Sequence, residues 1–355
     1  MTSTNILKGA TGLACLLLPL AACTNSKPAP TVTVTAGAAG GGSSSGGASA
    51  NATATSVAAP AKASKAYNLT FIQGVAGDEF YITMQCGIEA EAAKLGVKVR
   101  TQGPQKFDPT LQRPIVDSVL ASKPDAILIA PTDVSAMQSP LQNAAQAGIN
   151  VVLVDTTVKD PSFATSAIAS DNVGGGKAAF EAIKTLAPQG GKVLIMSVDP
   201  GISTTDARAK GFEDAVKADS KYQYLGIQYS HNDPATASNL ISSALQKDPD
   251  IVGVFAANLF SAEGTATGVR QAGKQNQVKI VGFDAGPNQV KALRAGTVQA
   301  LVAQQPAAIG QYGVDAAVAK LEGQQPPARV QTGFTVITQD NVDGAGAQAI
   351  YKSDC

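Results

Sequence analysis

The chain has 355 residues, and 44% of them are hydrophobic, which is enough for two domains with cores of their own. Its 27 basic and 27 acidic side chains balance, and only 5% of its residues are aromatic. The balanced charge and low aromatic content argue against a nucleic-acid surface and a large stacking platform. Any ligand is therefore expected to be small and held by polar contacts.

The N-terminus has the pattern of an export signal. Lys8 precedes an apolar stretch, residues 9–22, which is shorter than the roughly 20 residues that cross a bilayer. It ends in Leu20-Ala-Ala-Cys23, which resembles the lipobox of bacterial lipoproteins. This resemblance predicts a signal peptide over residues 1–22 and acylation of Cys23; an ordinary cleaved signal with an incidental Cys23 is the alternative.

Residues 23–65 are rich in Ala, Gly, Ser, Thr and Pro and contain almost no bulky apolar side chains. Such a segment cannot bury enough surface to fold. It predicts a disordered tether that spans about 35 Å by random-coil scaling, enough to hold a domain clear of a membrane surface.

A strand–helix–strand pattern then occurs twice, about 125 residues apart. The first copy starts at Pro124 and ends in Val-Val-Leu-Val-Asp155; the second starts at Pro249 and ends in Ile-Val-Gly-Phe-Asp284. Continuous apolar runs are typical of buried parallel strands, so each copy predicts part of a doubly wound α/β lobe. Ligands of such sheets bind beyond the carboxyl ends of the strands. Two lobes that face each other would bring Asp155 and Asp284 to one cleft.

Short motifs occur in a fixed order along the rest of the chain. They are Phe80-Tyr81, Ala130-Pro-Thr-Asp133, Asp155, Ala169-Ser-Asp-Asn-Val173, Arg208-Ala-Lys-Gly-Phe212, Phe255-Ala-Ala-Asn258, Gly282-Phe-Asp284 and Ala303-Gln304. From residue 65 to about residue 339 the chain thereby resembles the periplasmic sugar-binding proteins of ABC transporters, especially the ribose-binding type.

This resemblance implies the type I periplasmic binding protein fold, with two Rossmann-like doubly wound lobes joined by three hinge crossings. The crossings are expected near Ser170, Gln304 and Gly333. The N-terminal lobe would comprise residues 66–170 plus 305–333. The C-terminal lobe would comprise residues 171–304 plus 334–355.

The resemblance also implies a set of ligand-binding residues. A sugar offers many hydroxyls, so carboxylates, amides and a cation are expected to bind it by charge-assisted hydrogen bonds. The implied residues are Asp78, Phe80, Tyr81, Asp155 and Thr156 in the first lobe, Arg208, Asn232, Asn258 and Asp284 in the second, and Gln304 at a hinge.

Most of these residues have a simpler structural role as an alternative. Asp155 and Asp284 could cap the helices that follow them, and Asn258 could form a turn. The aromatic pair could belong to the core, and Gln304 could be a plain hinge residue. Arg208 could form a surface salt bridge on a helix whose predicted start is the capping box Ser203-x-x-Asp206.

Two departures from the ribose-binding pattern concern specificity. Thr156 stands where those proteins have an arginine, and Gly77-Asp78-Glu79 stands where they have two asparagines before the aromatic pair. The change from a cation to a hydroxyl and the added carboxylate argue against ribose. Another pentose, a hexose or a short polyol remains open.

The function implied is an extracytoplasmic lipoprotein, expected to be a monomer, that captures a small sugar or polyol and delivers it to an ABC permease. A lipoprotein that presents the sugar to a membrane receptor is the alternative. Catalysis is not expected, because the chain has a single histidine, His231, and no Gly-x-Ser-x-Gly motif. No metal, cofactor or nucleic-acid partner is predicted.

Two cysteines remain once the signal is removed and Cys23 is acylated. Cys86 and Cys355 are candidates for a disulfide in an oxidising compartment. Two unpaired thiols are the alternative.

Overall fold

The computed structural model describes residues 54–58, 60 and 62–355. The predicted signal peptide, Cys23 and most of the predicted tether lie outside these residues. The strands are β1 (Asn68–Ile72), β2 (Lys98–Gln102), β3 (Ala126–Ile129), β4 (Asn150–Val154), β5 (Ser166–Ser170), β6 (Gly191–Ser197), β7 (Tyr222–Tyr229), β8 (Ile251–Ala256), β9 (Lys279–Phe283), β10 (Ala300–Ala303), β11 (Arg329–Thr332) and β12 (Thr335–Thr338). The α-helices are α1 (Glu79–Leu95), α2 (Pro109–Ala121), α3 (Gln138–Gln146), α4 (Asn172–Leu186), α5 (Ser203–Lys217), α6 (Pro234–Lys247), α7 (Leu259–Gln271), α8 (Pro287–Arg294) and α9 (Pro306–Leu321), and a 3₁₀ helix spans Ala345–Ala349.

Each lobe contains one six-stranded sheet. The N-terminal lobe has the order β2-β1-β3-β4-β5-β11 with every pair parallel. The C-terminal lobe has the order β7-β6-β8-β9-β10-β12, and only β12 runs antiparallel to its neighbour. The two lobes therefore share one strand order, that of a doubly wound sheet. The predicted fold class, two α/β lobes, is confirmed.

The chain passes between the two sheets three times: after β5, between β10 and α9, and between β11 and β12. These crossings lie side by side. The N–H of Asp171 donates to the carbonyl of Thr332 at 2.9 Å, and the Ser170 hydroxyl donates to Oε1 of Gln304 at 2.7 Å. All three crossings thus meet in one polar hinge.

The internal repeat extends to the way the helices pack. A Cβ atom at Gly87 of α1 would collide with the backbone carbonyl of Ala307 on α9. A Cβ atom at the matching Gly211 of α5 would collide with the carbonyl of Val173 on α4. In each lobe, a glycine therefore allows close packing between two helices, one of which begins just after a hinge crossing. These pairs are α1 with α9 and α5 with α4.

The predicted tether is wrong at its C-terminal end. Ala54 forms a parallel bridge beside Val330 of β11, with its N–H donating to the carbonyl of Arg329 and its carbonyl accepting from Gln331. Val57 is buried against the N-terminal lobe. The edge of a sheet offers unpaired backbone groups to any extended segment, so a sequence poor in apolar side chains can pair there.

The predicted boundary of the C-terminal lobe also needs a correction at the end of the chain. Residues 334–351 lie with the C-terminal lobe, where Tyr351 donates its N–H to the carbonyl of Ala285. The next residue, Lys352, donates its N–H to Oγ1 of Thr83 on α1 of the other lobe. Cys355 forms a disulfide with Cys86, with their Cα atoms 5.2 Å apart. The last four residues therefore attach to the N-terminal lobe.

Candidate functional site

Two aspartates occupy matching positions in the two lobes. Asp155 follows β4 and Asp284 follows β9, and both have positive φ angles, 65° and 78°. Their N–H groups donate to the next strand of the sheet, to Ile168 and Val302 respectively. Left-handed backbone is uncommon outside glycine, but aspartate tolerates it better than most residues. The two carboxylates face one cavity between the lobes.

This cavity is lined by residues from both lobes and the hinge. The two lobes also contact each other directly: the N–H of Val134 donates to the carbonyl of Gly201 at 3.1 Å, and the N–H of Thr157 donates to Oγ of Ser203 at 3.0 Å. The residues predicted from sequence that line it are Asp78, Phe80, Tyr81, Asp155, Arg208, Asn232, Asn258, Asp284 and Gln304.

Asp284 is held by three donors. Its Oδ1 accepts from Nε2 of Gln304 at 2.6 Å and from the hydroxyl of Tyr351 at 3.0 Å. Its Oδ2 accepts from the N–H of Leu259, at the start of α7, at 3.0 Å. Burial raises the pKa of Asp284, while the Arg208 guanidinium and these donors oppose the rise. A carboxylate has about four lone-pair sites, so Asp284 can accept one more hydrogen bond, from a ligand.

Asp155 has fewer protein partners. Its Oδ2 accepts from the Tyr81 hydroxyl at 2.8 Å, and Tyr81 itself packs edge-to-face on Phe80, with ring centroids 5.1 Å apart. Burial raises the pKa of Asp155 to about 6, against the lowering effects of Arg208 and of the Tyr81 hydrogen bond. Asp155 therefore keeps most of its capacity to accept ligand hydrogen bonds at neutral pH.

Arg208 is the cation that compensates this pair of carboxylates. It is 3% exposed; its Nε donates to Oδ1 of Asn172 and its Nη1 to the carbonyl of Ala257, both at 2.8 Å. Its guanidinium lies over the ring of Phe283, 3.8 Å from the centroid. A buried cation that is fixed on a ring face and lowers the pKa of two nearby carboxylates provides charged donors for ligand oxygens.

Two residues that cap helices also line the cavity. Asp78 accepts from the N–H of Phe80 at 2.8 Å and starts α1. Asn258 starts α7 and donates its Nδ2 group to Oδ1 of Asn232 at 2.6 Å. Both residues therefore combine a helix cap with a position on the cavity wall.

Two sequence-based predictions are wrong here. Thr156 does not line the cavity, since its hydroxyl donates to the carbonyl of Pro131 at 2.7 Å inside its own lobe. The capping box at α5 is not formed, because Ile202 occupies the N-cap position. Asp206 accepts from the N–H of Gly201 instead, and Ser203 accepts from Thr157 of the facing lobe.

Several lining residues were not predicted. Phe107, between β2 and α2, and the side chains of Val198, Ile202, Thr204 and Thr205 complete the wall. Two sequence features could have indicated these residues: the single aromatic Phe107 in a polar loop and the Ser-Thr-Thr run at the start of α5. Tyr351 was missed entirely, although it is an isolated aromatic in a polar tail.

In the part of the chain that the structure describes, no group of histidine, cysteine or carboxylate side chains could hold a metal ion. Nor does any helix within residues 54–58, 60 and 62–355 have the length and apolar character to cross a membrane.

Comparison with known proteins agrees with this geometry. The periplasmic binding protein domain model matches residues 69–325. The chain is 31% identical over 275 residues to the ribose import binding protein of Bacillus subtilis, across 78% of this chain and 88% of that protein. It is 31% identical over 243 residues to the D-allose-binding periplasmic protein of Escherichia coli, across 66% of this chain and 78% of that protein.

Solved structures give the same result. An ABC transporter solute-binding protein from Agrobacterium vitis, bound with α-D-tagatopyranose, has a TM-score of 0.79 and 42% sequence identity, covering 81% of this chain and 99% of that one. A second protein from that organism, with bound D-fucose, has a TM-score of 0.77 and 29% identity, covering 80% and 100%. The chain belongs to the periplasmic binding protein family.

Proposed function

We propose that this protein binds one small sugar or polyol between its lobes and delivers it to an ABC permease. The observation that carries the proposal is the matched pair Asp155 and Asp284, which reach one cavity from equivalent strand ends of two lobes, with Arg208 beside them. Carboxylates accept from sugar hydroxyls and the guanidinium donates to sugar oxygens. Reversible binding requires no catalytic group, and the relatives with bound tagatose and fucose support a sugar.

The proposal is tested by a thermal-shift screen of the full chain against D-tagatose, D-fucose, D-ribose, D-allose, D-arabinose and short polyols. A ligand that binds only the folded state stabilises it by about 2.7 kcal/mol at 100 times its dissociation constant. We expect at least one of these compounds to raise the melting temperature. If none does so at millimolar concentration, sugar binding is refuted.

We propose different roles for the three carboxyl groups of the cavity. Burial raises the pKa of all three groups, but Arg208 opposes this rise at Asp155 and Asp284. At Asp78 the neighbouring Asp284 adds to the rise, which the hydrogen bond from the N–H of Phe80 opposes, and the pKa lies well above its usual range. Asp78 therefore takes up a proton more readily than the other two; in its protonated form it donates to a ligand oxygen, while the other two accept. This arrangement suits a ligand that has both free hydroxyls and a ring or carbonyl oxygen.

Asparagine substitutions separate these roles. Asp78→Asn keeps the helix cap and a donor, so we expect it to weaken binding by only about threefold, or about 0.7 kcal/mol. Asp155→Asn removes a charged acceptor, so it is expected to cost at least about tenfold. Titration calorimetry with the best sugar from the screen measures both. Equal losses would show that Asp78 also binds as an anion.

We propose that lipidated Cys23 anchors the protein to the cell membrane, because Leu20-Ala-Ala-Cys23 follows an apolar stretch of signal-peptide length. Cys23→Ser is expected to move the protein from the membrane fraction to the soluble fraction and to leave sugar affinity unchanged, since the cavity lies in the folded lobes. Fractionation with immunoblotting checks the first point. A mutant that still partitions into detergent must be anchored elsewhere.

A further inference from the structure

The end of the chain connects the two lobes beside the cavity. We name residues 350–355 the C-terminal strap. It leaves the C-terminal lobe at Tyr351, whose N–H donates to the carbonyl of Ala285 at 3.0 Å. It ends on α1 of the N-terminal lobe, through the Lys352–Thr83 hydrogen bond and the Cys86–Cys355 disulfide. The strap is thus a fourth covalent connection in addition to the three hinge crossings.

Tyr351 contacts the groups that form the cavity. It is 4% exposed, and its hydroxyl donates to Oδ1 of Asp284 at 3.0 Å and accepts from the N–H of Gln304 at 2.9 Å. Its ring packs against Phe80 of the other lobe, with centroids 6.0 Å apart. One side chain therefore orients a carboxylate, satisfies a hinge amide and supports an aromatic wall residue.

The disulfide lies near the second hinge crossing. One of its two cysteines, Cys86, is next to Gly87 in α1, and the backbone at Gly87 packs directly on Ala307. Ala307 is three residues beyond Gln304, which lies at the second crossing. A covalent bond this close to the hinge is expected to leave the lobes free to rotate relative to each other. It also keeps the strap on α1, because the exposed residues between Tyr351 and Cys355 have little packing of their own.

We propose that Tyr351 is a positioning residue for Asp284 and Gln304, and that the Cys86–Cys355 disulfide holds it in place, so that the C-terminal strap sets ligand affinity. This inference rests on the proposed sugar binding for its effect on affinity. Its structural part, the ordering of Tyr351 by the disulfide, does not depend on a ligand.

The reason is geometric. With Tyr351 in place, Oδ1 of Asp284 accepts from two fixed donors, which hold the carboxylate in one orientation. Without the tyrosine hydroxyl, Oδ1 keeps one donor and the Gln304 N–H loses its acceptor in a buried hinge. Preorganised acceptors bind a ligand more tightly because less ordering remains to be done on binding.

The first test is Tyr351→Phe in the full chain, with calorimetry against the sugar that binds the wild type most tightly in the screen. We expect about a tenfold loss of affinity, from one hydrogen bond to a charged group. The matched control is Tyr222→Phe, which also removes a tyrosine hydrogen bond, to Ala187, but far from the cavity. The control should bind as the wild type does.

The pH profile separates positioning from a general loss of structure. The Tyr351 hydrogen bond lowers the pKa of Asp284, so its removal lets that pKa rise. Protonation then competes with sugar binding at a higher pH, so the loss in Tyr351→Phe should grow as the pH is lowered. A loss that is constant with pH would refute the positioning role.

The second test is the Cys86→Ser/Cys355→Ser double variant, alone and combined with Tyr351→Phe. If the disulfide acts through Tyr351, the combined variant loses little more than Tyr351→Phe alone. If the fold-losses of affinity in Tyr351→Phe and in the double cysteine variant multiply in the combined variant, the disulfide does not act through Tyr351.

A measurement without ligand keeps the inference independent of the proposed function. Amide hydrogen exchange at Tyr351 and Gln304 should be faster in the double cysteine variant than in the wild type, since both amides depend on the placement of the strap. Unchanged exchange refutes the inference even if sugars bind. If no sugar binds the wild type, the proposed function fails while faster exchange still supports the ordering of Tyr351.

Discussion

Replacing Asp284 by alanine is expected to weaken sugar binding by about 2–3 kcal/mol, roughly 30- to 150-fold. The substitution removes a charged acceptor from the cavity. It also leaves the Tyr351 hydroxyl, the Gln304 amide and the N–H of Leu259 without their common partner. Buried donors without partners carry a desolvation cost, and a ligand hydroxyl can no longer be satisfied at this position. Titration calorimetry measures the loss.

Asp284→Asn serves as the second variant, because an amide fills the same space if the alanine protein folds poorly. It keeps one acceptor and is expected to lose less than alanine but more than tenfold. Asp214→Ala is the control: Asp214 lies in the same lobe and forms an exposed i,i+4 pair with Lys210. Unchanged affinity in both Asp284 variants would remove this residue from the binding site.

The architecture was predictable because parallel strands that are buried on both faces must be apolar without interruption. Residues 126–129 and 151–154 are fully buried, as the runs ending at Asp155 require. The matching run before Asp284 gives the second lobe by the same argument. Since strand ends of a parallel sheet define its binding edge, the two aspartates followed from the repeat alone.

Thr156 shows where this argument stops. Side chains along a strand alternate between faces, but Asp155 has left-handed backbone, which ends the alternation and turns the next residue into its own lobe. This φ angle depends on the tertiary structure around Asp155, and the neighbouring residues in the sequence do not predict it. A position next to a binding residue is therefore a weak predictor of binding.

Contacts made by the chain ends were equally hard to predict. Ala54 pairs with β11 through backbone groups. Every residue has these groups, so the side chains of this segment do not indicate that it pairs. The contact of Lys352 with Thr83 joins residues 269 positions apart. The cysteines suggested that the tail reaches α1, but the path that carries Tyr351 past Asp284 depends on how the lobes sit together.

Replacing Arg208 by methionine is expected to weaken sugar binding by about 10- to 150-fold, since a hydrogen bond to a charged group contributes about 1.5–3 kcal/mol. Methionine preserves much of the side-chain length and its packing over Phe283. What it removes is the charge that opposes the burial of Asp155 and Asp284. Sugar oxygens also lose their charged donor.

The pH dependence identifies electrostatics as the cause. In the wild type, the raised pKa of Asp155, about 6, means that affinity should fall as the pH drops through 6, because the proton occupies an acceptor. In Arg208→Met the pKa of Asp155 rises further, so the fall should begin at a higher pH. Calorimetry from pH 5 to 8 locates the two midpoints. Arg270→Met, at an exposed position on α7, should keep the wild-type profile, and an identical midpoint in Arg208→Met would mean that Arg208 does not set the charge of this cavity.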